Sequence, residues 1–66
     1  MDFIEKARIR IEKWITHNDH HQEEYEEFAE QLEEAGKNES SGFVREMMEL
    51  IEKGNECLRK ALKTLE

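Results

Sequence analysis

The chain has 66 residues with 10 basic and 17 acidic side chains, a net charge of −7; so short a chain forms one domain at most, and its core is marginal without a staple, a metal or a second chain. Cys57 is the only cysteine, which excludes an internal disulfide and fits a reducing, intracellular compartment. The apolar residues come as doublets such as Phe3-Ile4 and Trp14-Ile15, far short of the ~18 residues of a membrane span, and Met1–Glu5 lacks the shape of a signal peptide, so a soluble cytoplasmic protein with no membrane partner is expected.

With no Pro, three Gly and many Glu, Lys, Leu and Ala residues, the chain leans helical throughout. Asp2 with Glu5 three residues on is a capping-box spacing and starts a helix at about residue 2. A heptad runs from there without slipping. One row reads Ile4, Ile11, Asn18, Tyr25, Leu32, and the other Ala7, Trp14, His21, Phe28, Ala35. Asn18 and His21 interrupt an otherwise apolar or aromatic pattern, which predicts one long helix over about 2–35. Gly36 suits the left-handed position that follows a helix. Charge is segregated along this stretch: residues 1–16 sum to +1, whereas residues 17–39 carry one basic and nine acidic groups. That acidic middle repels phosphate backbones and argues against a nucleic-acid partner.

Residues 36–41 read as the loop, with Asn38, Ser40 and Ser41 all eligible to cap the next helix. The second helix is expected over about 42–65. Its rows are Val44, Ile51, Leu58, Leu65 and Met47, Gly54, Ala61, flanked by Phe43, Leu50, Cys57 and by Met48, Leu62. So wide an apolar stripe suits a helix with more than one neighbour. A short loop makes the helices antiparallel, and the simplest cover for the remaining apolar surface is a homodimer forming a four-helix bundle. The rival is a three-helix bundle broken near Asn18, because Thr16, Asn18 and Asp19 are good N-caps. The unbroken heptad favours the hairpin.

Folding the chain near residues 38–39 sets Asn18 and His21 at the level of Gly54, Asn55 and Cys57. One reading is a buried polar layer in which Asn18 and His21 fix register and Gly54 lets the helices approach. The other is a metal site. His17, His21 and Glu24 at i, i+4, i+7 lie along one side of a helix, and with Cys57 opposite they are suited to Zn²⁺ or another first-row divalent ion. The Glu-x-x-His pairs of diiron bundles and the His-Glu-x-x-His of metalloproteases are absent. His20 belongs to another face. Cys57 has a Glu beside it and no basic residue in the turn before it, so nothing marks it as a nucleophile. No nucleophile–base set can be assembled, and no enzyme is expected.

The run Trp14-Ile15-x-His17-Asn18-x-x-His21-x-x-Glu24-Tyr25, followed by Phe28-Ala29-Glu30, resembles a group of small uncharacterised bacterial and archaeal helical-hairpin proteins. The likeness extends to Ala35-Gly36 and to Leu58, Ala61 and Leu62. It implies a helical hairpin and carries no established activity. The expected function is that of a small dimeric binding or assembly module, with a metal-binding or metal-sensing protein as the alternative.

Overall fold

A computed structural model describes residues 2–65. It contains two helices, α1 (Phe3–Glu34) and α2 (Asn38–Lys63), packed as an antiparallel hairpin 51 Å long. Asp2 caps α1, its Oδ1 accepting from the Glu5 backbone N–H at 2.9 Å. The helix passes through Asn18 without interruption, which rules out the three-helix alternative.

The connection is tighter than the sequence suggests, and α2 begins at Asn38 rather than near residue 42. Gly36 takes φ +78°. The Lys37 N–H reaches the Leu32 carbonyl at 2.8 Å and the Gly36 N–H reaches Glu33 at 3.0 Å. These are the two bonds of a Schellman motif, which satisfies the terminal carbonyls of α1 and turns the chain within three residues. None of the three expected caps serves α2, whose cap position is Lys37, without a side-chain bond.

The seam between the helices differs from the expected heptad in one respect. The row Ile11, Asn18, Tyr25, Leu32 does face α2, but its companion is Ile15, Gln22, Ala29 and not Trp14, His21, Phe28. Ala29 is fully buried while Phe28, next to it, is half exposed. On α2 the seam is Ser41, Met48, Asn55, Leu62 beside Val44, Ile51, Leu58, whereas Gly54 and Ala61 are exposed. A side chain at Gly54 would meet open space, so that glycine is not needed for the approach of α1.

Polar groups close one long edge of the seam. The Arg45 Nε and Nη2 donate to Glu33 at 2.8 and 3.3 Å, and Nη1 donates to Glu26 at 2.7 Å. The Ser41 hydroxyl donates to Glu33 at 2.5 Å. Farther along the same edge, Arg59 lies 3.9 Å from Asp19. The Arg45 and Ser41 bonds hold the Glu33 carboxyl below its ordinary value of 4.5. A carboxylate with a lowered folded pKa lends stability above its unfolded value and loses it as pH falls through the folded one. Acid unfolding followed by circular dichroism should therefore show a Glu33-dependent loss below about pH 4.5, and Arg45→Gln should flatten it.

Candidate functional site

The polar layer expected in the sequence exists, with a different membership. Asn55 is fully buried. Its Oδ1 accepts from Asn18 Nδ2 at 2.8 Å, and its Nδ2 donates to Asp19 Oδ1 at 2.9 Å and to the Ile15 carbonyl at 3.5 Å. One turn farther on, Gln22 Nε2 donates to the Met48 carbonyl at 2.8 Å. A buried amide satisfied in this way tolerates few sliding registers, because a shift of one turn would strand its donors and acceptor. Asn55→Ala leaves half-buried Asn18 without its partner, whereas Asp19, about half exposed, turns to water. Urea denaturation should show a loss of about 1–3 kcal/mol, the ordinary penalty for buried polar groups deprived of partners.

His21 is not in that layer. Its side chain is 37% exposed, and both of its polar contacts lie within α1, to His17 and Glu24 rather than to Asn18 or a carbonyl. His21 Nδ1 is 3.0 Å from Glu24 Oε1, and its Nε2 is 2.9 Å from His17 Nε2. The Glu24 carboxylate can only accept, so His21 Nδ1–H donates to it, and the His21 Nε2 lone pair accepts from His17 Nε2–H. The Tyr25 ring stacks on His21 with centroids 5.9 Å apart. His20, largely exposed, lies 3.8 Å from the same Glu24 oxygen. The i, i+4, i+7 spacing thus brings His17, His21 and Glu24 into one hydrogen-bonded chain.

Cys57 does not join them. It is exposed and stands two residues from buried Asn55, which at ~100° per residue puts it on the far side of α2. Within one chain, no three His, Cys, Asp or Glu side chains among the described residues are gathered as a metal set. Glu24 is engaged with Nδ1 of His21, the ring nitrogen that does not face His17. The sequence reading missed Asp19 and Gln22 as members of the seam. Their signal was weak, because the row Arg8, Ile15, Gln22, Ala29 is half polar, whereas the row beside it is richer in aromatics.

What that neighbouring row does is leave apolar surface uncovered. Phe3, Trp14, Phe28, Phe43 and Leu50 each keep between 50% and 76% of their area exposed. On α1, Trp14, His17, His21 and Phe28 recur at intervals of three, four and seven and form one stripe. On α2, Phe43, Leu50, Gly54 and Ala61 form another. In an antiparallel pair the two stripes turn towards the same side, opposite the edge closed by Arg45 and Arg59. His17 and His21 sit in the middle of that apolar side.

Architecture and surface together describe an all-α helical hairpin with one polar and one apolar edge. The chain belongs to a family described as a domain of unknown function (DUF8180), which matches residues 7–65. No curated protein and no solved structure matches it. No helix among the described residues is long and apolar enough to cross a membrane.

Proposed function

We propose that this chain is a small assembly module whose two copies pack through their apolar sides into a four-helix bundle. The observation that carries this reading is the exposure of Trp14, Phe28, Phe43 and Leu50 on one side of the hairpin, beside a seam whose fully buried apolar residue is Ala29. Monomers rarely present so much contiguous apolar surface to water. Half-burial forfeits much of the roughly 1.5–3 kcal/mol that each such side chain contributes when fully enclosed. The accessible surface is 5263 Å², against about 4,400 Å² for a compact protein of this mass. The difference is comparable to the ~800 Å² each partner buries in a standard interface.

Charge favours a second copy over an unrelated partner, and favours α1 running antiparallel to its counterpart. Residues 3–18 carry four basic and two acidic groups, while residues 19–34 carry eight acidic groups and no basic one. Antiparallel overlap sets each basic half against the partner's acidic half. The hollow of about 260 Å³ between Phe3 and Trp14 then lies at the level of the partner's Phe28.

Sedimentation of the full chain at micromolar concentration should give a dimer. Phe28→Asp with Leu50→Asp should weaken association by about 100-fold or more, because it places charges within the apolar part of the interface. Both positions are exposed within the hairpin, so helical circular dichroism should persist. A wild-type chain that sediments as a monomer would sink the assembly reading and turn the search to other protein partners.

A further inference from the structure

We propose that the dimer gathers both His17–His21 pairs at its two-fold axis into a four-imidazole site for one divalent transition-metal ion. The inference rests on the antiparallel dimer described above. When α1 overlaps its counterpart along its whole length, facing residue numbers sum to about 37, the sum of the two end residues Phe3 and Glu34. His17 and His21 straddle the middle of that overlap, and they lie on the stripe that faces the partner. The two-fold axis therefore brings two pairs together where one chain supplies half a ligand set.

Three features of the pair suit it to a metal. The two Nε2 atoms lie 2.9 Å apart, about half an ångström short of the roughly 3.4 Å between nitrogens about 2.0–2.1 Å from zinc at adjacent tetrahedral corners. On binding, the proton that His17 Nε2 shares with His21 moves through solvent to His17 Nδ1, freeing both lone pairs. Glu24 holds Nδ1 of His21 at 3.0 Å, the outer hydrogen bond that fixes a ligating imidazole with its Nε2 lone pair outward. Tyr25 stacks on the same ring and limits its rotation. An imidazole set selects zinc, copper or nickel over the oxygen-seeking ions. His17 and His21 are also the polar break in an aromatic stripe, and an ion there would neutralise the cost of burying them between two copies. Cys57, on α2, is not needed.

The full-length protein, freed of metal by chelation, is titrated with Zn²⁺ alone and followed by calorimetry and native mass spectrometry. The expected ratio is one zinc per two chains, carried by the dimer. His21→Ala should abolish binding while leaving helical circular dichroism and the apolar dimer in place. Glu24→Gln should loosen zinc about tenfold without changing the ratio, since it removes the orienting group and no ligand. A dimer that takes up no zinc, or one zinc on each chain, overturns the shared site and leaves the assembly reading standing. A monomer, with or without zinc, overturns both. Zinc retained at the same ratio by His21→Ala would place the ion elsewhere and overturn the assignment.

Discussion

The fixed point of this hairpin is Asn55. Its amide, closed off from water, binds Asn18, Asp19 and the Ile15 carbonyl at once. Two helices that enclose so little apolar surface have few interlocking side chains to prevent one sliding along the other, since tight jigsaw packing is what ordinarily defines a unique register. An amide with three partners on the facing helix supplies what packing does not. The arrangement of the other contacts follows from it, because Gln22 finds the Met48 carbonyl and Arg45 finds Glu26 and Glu33 in that one register.

From this register comes the asymmetry of the molecule. The row that carries Ile15, Gln22 and Ala29 is spent inside the hairpin on small or hydrogen-bonding residues, and the larger aromatics are left facing away. The polar edge holds Arg45 in a forked pair with Glu33, a geometry matched to guanidinium and carboxylate. The opposite edge has no such forked pair among the described residues and presents Trp14, Phe28, Phe43 and Leu50. A single hairpin thus has one edge closed by hydrogen bonds and one apolar edge open to water, which agrees with the marginal core that its length dictates.

Much of the fold was legible in the residues. The absence of proline, the Asp2 cap and the place of Gly36 all act locally, through backbone conformation and hydrogen bonds within a turn of the chain. They identified both helices and the stop of the first. The layer at Asn18 and Asn55 was legible too, because a hairpin folded on a short loop must bring those levels together. What failed was the choice between two rows adjacent to the same apolar row. Apolarity alone pointed to Trp14, His21 and Phe28, since a heptad count cannot distinguish the face turned to the other helix of the hairpin from the face turned elsewhere. The same limit explains His21. Its spacing to His17 and Glu24 was visible, but whether that trio pointed into the seam or beside it depended on the rotation of α1, which Gln22 and Asp19 settle through contacts at 26 and 36 residues' separation. The start of α2 was missed for a different reason: the Schellman turn consumes so little chain that residues read as loop are already helical.

The three-residue turn has a kinetic meaning as well. Contacts across the hairpin rise steadily in sequence separation, from 8 residues at Ser41–Glu33 through 12 and 19 at Arg45 to 26 at Gln22 and 40 at Asn55–Ile15. Each bond formed shortens the loop that the next must close, so the chain can zip outward from Gly36 without an entropically expensive long-range search. The order of closure reverses on opening. The end bearing Phe3 and Ile4 separates most readily, and amide protection should decline along α1 towards that end. The basic, aromatic segment at that end is helical throughout, and it is the part of α1 with least support from the rest of its own chain.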